Sequence, residues 1–243
     1  MIYRARDRQL SYGRPVGILA LEEHIPCPPG VPGNPTTFDF PVCYEIVRGA
    51  SAAELVHSPD PDPAPFIAAG QALVERGAAA VIGGCGLMIV HQAALVAALP
   101  VPVVTSSLLQ LPWLLGMLGP FARVGVIASR ARNLSPRHLA LAGVTDTARV
   151  ELGGMDGQQH FTAAVCDESG NLDFAGVERE LVAVASALAA RDPAISALVL
   201  ECVDLPPYAA AAQAAIGLPV YDIITLAGFV QAGLVRRPFA GAY

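Results

Sequence analysis

The sequence predicts an α/β protein built as two pseudo-symmetric halves, each a parallel sheet flanked by helices. Three observations predict it. Short apolar runs alternate with Ala- and Leu-rich stretches of about 10 to 15 residues, the rhythm of βαβ units. The same order of runs then recurs in the second half. In each half the repeated element ends in a cysteine, with the same spacing on both sides of it.

Val16 to Leu21 (VGILAL) reads as a strand that runs into a Pro/Gly loop. Residues 64–76 (APFIAAGQALVER) read as an amphipathic helix and Ala79 to Ile82 as a buried strand. Met88 to Leu99 (MIVHQAALVAAL) reads as a further helix, followed by the strand Val101 to Thr105 (VPVVT). Arg123 to Ser129 (RVGVIAS) then answers the opening run, Val177 to Ala190 the first helix, and Ala197 to Leu200 (ALVL) the strand before the cysteine. Pro206 and Pro207 suit the first turn of the next helix, and Gly217 suits its stop. Leu218 to Ile223 (LPVYDI) matches VPVVT. Cys85 to Pro102 is 17 residues, and so is Cys202 to Pro219; Ala80 and Ala197 each lie five residues before their cysteine. The expected domains are therefore 14–112 and 113–222.

Composition narrows the chemistry. Hydrophobic residues make up 53% of the 243 residues and charged ones 15%, so most of the chain can be buried. All 15 basic residues are arginine, which excludes a lysine Schiff base, a Walker A loop and a Ser-Lys dyad. A net charge of -6 without a basic run argues against nucleic acid. Met1 to Gly13 lacks the apolar stretch of a signal peptide, and no later segment offers about 18 unbroken apolar residues, so no membrane partner is expected. The expectation is a cytoplasmic protein with Cys27, Cys43, Cys85, Cys166 and Cys202 reduced. No cysteine pair has zinc-ligand spacing, so no metal is expected, and nothing calls for a cofactor. The LPWLLGML segment around Trp113 reads as inter-lobe or subunit packing, which allows a homodimer.

Cys85 and Cys202 stand at the carboxyl ends of strands, where open parallel sheets bind ligands. Helix N-termini there attract anions and lower a thiol pKa. Facing halves place one sulfur on each wall of a cleft. Two sulfurs about 3 to 3.5 Å from one carbon stand roughly 7 Å apart, which suits removal of a proton from one face and return to the other. The other three cysteines read as packing or loop positions.

These residues resemble the aspartate/glutamate racemase superfamily, the cofactor-independent two-cysteine racemases. Hydantoin racemase, arylmalonate decarboxylase and maleate isomerase are its relatives. The resemblance runs from Val16 to about Phe229 and is strongest at Gly84-Cys85-Gly86, Pro102 to Pro112 (PVVTSSLLQLP) and Leu200 to Tyr208 (LECVDLPPY); Gly30 to Val42 is similar to a first active-site loop. It implies two flavodoxin-like lobes with the C-terminal helix, 223–235, crossing back onto the first. It also implies Cys85 and Cys202 as the acid/base pair, with Asn34, Gly86, Thr105, Ser106 and position 203 around the substrate. Val203 stands where relatives usually carry Thr, Ser or Asn, and Gly84 where close relatives often carry a hydroxyl, which points to a substrate less polar than aspartate. The expected function is thus a racemase or epimerase of a small carboxylate or hydantoin-like compound. The alternatives are an arylmalonate-type decarboxylase or maleate-type isomerase, and third a non-catalytic small-ligand binder. His91 reads as packing, Asp204 as the cap of the turn at Pro206 in preference to a thiol-tuning group, and Arg130 and Arg132 as loop residues.

Overall fold

Four strands form the first parallel sheet in the order β2-β1-β3-β4: β1 (Val16–Ala20), β2 (Val42–Ile46), β3 (Ala80–Gly83) and β4 (Val103–Val104). Four more form the second in the order β6-β5-β7-β8: β5 (Arg123–Ala128), β6 (Val150–Gly154), β7 (Ile195–Leu200) and β8 (Val220–Tyr221). This computed structural model describes residues 2, 4–7, 9–58 and 61–241. Residues 1, 3 and 8 of the N-terminal segment read above lie outside them. The helices are α1 (Ala52–His57), α2 (Ala64–Glu75), α3 (Gln92–Ala98), α4 (Leu111–Met117), α5 (Pro136–Leu141), α6 (Gln159–Phe161), α7 (Phe174–Arg191), α8 (Ala209–Ile216) and α9 (Ile223–Leu234).

The repeat seen in the sequence is a repeat of register. Val16 of β1 pairs with Ala80 of β3, and Val124 of β5 pairs with Ala197 of β7. The central strands β1, β3, β5 and β7 are almost wholly buried, which is why they read as continuous apolar runs rather than alternating ones. The edge strands β2 and β6 were not legible. Their residues are mostly half-buried and carry Glu45 and Glu151, so neither pattern emerges.

Several boundaries differ from expectation. The helix expected over 88–99 is a 3₁₀ turn over Gly86–His91 followed by α3. Met88 N–H bonds to the Cys85 carbonyl at 3.1 Å, and the tighter winding packs Leu87, Met88 and Ile89 into the core. The strands expected at VPVVT and LPVYDI shrink to two residues each, because Pro102 and Pro219 cannot donate to the ladder. The second-half helix begins earlier, at Phe174, where the Asp173 side chain caps it by accepting from Gly176 N–H at 2.9 Å. Gly217 ends α8 in the left-handed region at φ 68°, as its position predicts.

One apolar core runs through both lobes. It passes from Leu19, Val81 and Leu73 through Leu108, Leu111 and Leu114 to Val124, Val126 and Val199. Helix α9 sets Ala227 against Val16, Ile18 and Ile82. Ser107 Oγ donates to the Leu200 carbonyl at 2.8 Å, tying the end of β7 to the other lobe. Trp113 is half exposed and faces Phe229, with ring centroids 5.9 Å apart. No helix among the described residues is long and apolar enough to cross a membrane.

Candidate active site

With β3 and β7 in equivalent register, the chain reaches Cys85 and Cys202 at equivalent points five residues beyond Ala80 and Ala197. Both sulfur-bearing residues line one cavity of about 380 Å³ between the lobes. That volume suits a small metabolite. The first lobe contributes Glu23, the apolar face of α1 and Gly84 to Leu87. The second contributes Ser129 to Asn133, the Val165–Glu168 segment and Glu201 to Asp204.

Each sulfur has the same local support. The Leu87 N–H lies against Cys85, and the Asp204 N–H lies against Cys202, each two residues on in the chain. These donors favour a thiolate, and they are outweighed. Burial, Glu23 and Glu201 push the Cys85 thiol well above its usual value; burial, Asp204 and Glu201 do the same for Cys202. The thiol-activating helix N-terminus expected from sequence is thus overruled by desolvation and by carboxyl groups. The turns that follow the cysteines are also short 3₁₀ segments rather than long helices.

The carboxyls are themselves unusual. Glu201 is 3% exposed and is pushed up to about 8 by burial and by Asp204. Its Oε1 is buried without a hydrogen-bond partner among the described residues. Asp204 is raised to about 6 by burial, against which the hydrogen bond from Cys202 works. Cys202 Sγ donates to Asp204 Oδ2 at 3.5 Å, while the turn at Pro206 has no side-chain cap. The capping role expected for Asp204 is therefore corrected: its side chain serves the thiol. Glu23, at the solvent-exposed mouth, rises to about 7 through desolvation, Asp204 and Glu168. Arg130 pairs with the Cys166 thiol on the same wall.

Among the other expected substrate-contacting residues, Gly86 and Val203 line the cavity and three do not. Thr105 is fully buried and its hydroxyl donates to Gln92 Oε1 at 2.7 Å. Ser106 Oγ accepts from Leu108 N–H at 3.2 Å, capping the next turn. Asn34 Oδ1 accepts from Thr36 N–H at 3.0 Å, and its amide donates to the Cys27 carbonyl at 2.9 Å. These polar groups are spent on local structure. His91 is 2% exposed and stacks on Phe66 with centroids 4.2 Å apart, a packing residue as expected. Among the described residues no group of three or more His, Cys, Asp or Glu is arranged to hold a metal ion. Sequence reading passed over Glu23 and Glu168, which share no spacing or motif, and took Cys166, which lines the cavity, as a packing or loop position.

Solved structures of racemases and of an arylmalonate decarboxylase share this two-lobe parallel fold. A glutamate racemase from Bacillus anthracis superposes with a TM-score of 0.56 at 16% identity, covering 91% of this chain and 83% of that one. A mutant arylmalonate decarboxylase superposes with a TM-score of 0.61 at 17% identity, covering 93% and 97%. No family model matches the chain. The sequence relatives are more specific. A dimethylsulfoniopropionate lyase of Durusdinium sp. clade D is 33% identical over 234 residues, 93% of this chain and 77% of that protein. Dimethylsulfoniopropionate lyase 5 of Emiliania huxleyi (strain CCMP1516) is 30% identical over 237 residues, 93% of this chain and 46% of that protein. The chain belongs to the dimethylsulfoniopropionate lyase family. This corrects the expected isomerase: the curated relatives are lyases, and the racemases share the fold alone. The sequence signature is two cysteines at matched strand ends, which implies a carbon-acid reaction and does not choose among its outcomes. Inversion and elimination both begin with removal of a proton beside a carboxylate, so such a signature carries no mark of a leaving group.

Proposed function

We propose that the protein is a lyase that releases dimethyl sulfide from dimethylsulfoniopropionate or a closely similar β-sulfonio carboxylate. The observation that carries this reading is the charge of the thiol-bearing cavity. Glu23, Glu168 and Asp204 share its walls with Arg130 and Arg132. A cavity lined by both signs fits a zwitterion, with carboxyl groups to face a sulfonium and guanidinium groups to attract a carboxylate. The loops after the equivalent strands β1 and β5 carry Glu23 and Arg130 respectively, so equivalent positions bring an acidic and a basic side chain to one cavity.

Elimination asks for a base at the carbon beside the carboxylate. Cys202 is the proposed base and Asp204 the acceptor of its thiol proton. Burial and the surrounding carboxyls hold both sulfurs as thiols. A sulfonium entering beside them brings a positive charge that favours a thiolate. The thiolate takes the α-proton, the electron pair forms the carbon–carbon double bond, and the β-carbon–sulfur bond breaks toward sulfur. Acrylate, dimethyl sulfide and one proton result. Cys85 covers the opposite face of the reacting carbon. The test is incubation of the purified protein with dimethylsulfoniopropionate, with dimethyl sulfide followed by headspace gas chromatography and acrylate by proton NMR. Equal release of both supports the reading, and release of neither overturns it.

A further inference from the structure

We propose that the Glu201 carboxyl is a catalytic hydrogen-bond donor, binding the substrate carboxylate and stabilising the charge that collects there when the α-proton leaves. Glu201 directly follows β7, next to Cys202, and both its carbonyl and its side chain lie against the first lobe. A Cβ added at Gly86, the residue after Cys85, meets Glu201 Oε1 at 2.2 Å and the Glu201 carbonyl at 2.3 Å. Only glycine permits that approach. One carboxyl thus lies against the chain bearing one thiol and is covalently adjacent to the other. It lines the cavity, and its Oε1 has no hydrogen-bond partner among the described residues.

A buried polar atom left unsatisfied costs about 1–3 kcal/mol, so a group kept in that state points to a partner that arrives with a ligand. The chemistry of the group selects the partner. Asp204, Cys202, Cys85 and Glu23 surround it with acidic groups, and Arg130 and Arg132 lie on the same cavity. In these surroundings Glu201 holds its proton at neutral pH. A neutral carboxylic acid in a dry site is a donor aimed at developing negative charge. When the α-proton leaves, the substrate carboxylate gains charge and the hydrogen bond strengthens. The binding part of this inference is independent of the lyase reading; the catalytic part rests on it.

The experiment uses two substitutions and two probes. Glu201→Leu removes the donor, and Glu201→Gln keeps an N–H donor that does not titrate. With dimethylsulfoniopropionate, Glu201→Leu is expected to lose roughly 10²- to 10³-fold in kcat/KM, the usual loss of one such donor. Glu201→Gln is expected to lose about tenfold or less and to lack the parent's fall in kcat/KM above about pH 8. Calorimetry with propionate, which has the carboxylate and no sulfonium, should show at least about tenfold weaker binding to Glu201→Leu. Trimethylsulfonium, which has the cation alone, should bind parent and variant alike. The inference is overturned if Glu201→Leu stays within threefold of the parent, if Glu201→Gln keeps the alkaline fall, or if trimethylsulfonium rather than propionate is the probe that weakens. If the parent releases no dimethyl sulfide while propionate binding still depends on Glu201, the lyase reading fails and the binding role stands.

Discussion

Cys202 Sγ donates to the Asp204 carboxylate across 3.5 Å, and the Asp204 N–H turns back to the same sulfur. One residue therefore addresses both protonation states of one thiol. Its side chain accepts the proton, and its backbone supports the thiolate.

That pairing sets an acid limit on activity. Asp204 must be ionised to accept the thiol hydrogen, and its carboxyl is raised to about 6. In the parent, kcat/KM is expected to fall as pH drops through about 6. Asp204→Asn should run about tenfold or more slower and lose that acid limb. A pH–rate profile in which the two proteins share the same acid limb counts against the role.

The two cysteines are expected to be unequal. Replacing Cys202 by Ser should lower dimethyl sulfide release by roughly 10²- to 10⁴-fold, the span of a positioned general base. Cys85→Ser retains a small polar group opposite and should lose less. Circular dichroism melts of both variants separate lost chemistry from lost folding, and a Cys85→Ser loss larger than that of Cys202→Ser would exchange the two roles.

Stability should fall as pH rises. Glu201 has an ordinary carboxyl value near 4.5 when unfolded and is raised to about 8 when folded. Between those values the folded chain holds a proton that the unfolded chain releases. The sign is therefore a loss of stability with rising pH, at most about 1.4 kcal/mol per pH unit for one proton. Melting temperatures across pH 5 to 9 should decline in the parent, and Glu201→Gln should flatten the decline. A variant with the same slope as the parent assigns the effect to other groups.

Two glycine substitutions should differ in sign. Gly86→Ala drives a methyl into Glu201, at a cost of about 1–3 kcal/mol and a displaced carboxyl. Gly228→Ala, inside α9 with nothing within 4 Å of the added atom, should stabilise by about 0.5–1 kcal/mol. Urea titration measures both, and a stabilised Gly86→Ala would show that Glu201 has room to move aside.

What was legible in the sequence is what repeats. The central strands and the cysteines that follow them recur at matched spacing, because equal register demands equal chain length in both lobes. Glu23 and Glu168 recur nowhere; their meaning lies in proximity across the cleft, which no spacing encodes. Thr105, Ser106 and Asn34 show the opposite difficulty. A hydroxyl or amide after a strand is what a ligand needs and also what a helical turn or a tight loop needs. Here Gln92, Leu108 and Thr36 take those groups first. The racemase expectation had a similar cause, since abstraction of a proton beside a carboxylate begins both inversion and elimination.

The hydroxyl of Ser107 holds the last carbonyl of β7, and a single apolar core threads both lobes on either side of that bond. The two halves therefore meet through packed side chains and a buried hydrogen bond as well as through the chain that joins them. A duplicated architecture is thus bound together at the end of the strand that leads to Cys202, and the wall carrying that thiol is anchored to the lobe that carries the other.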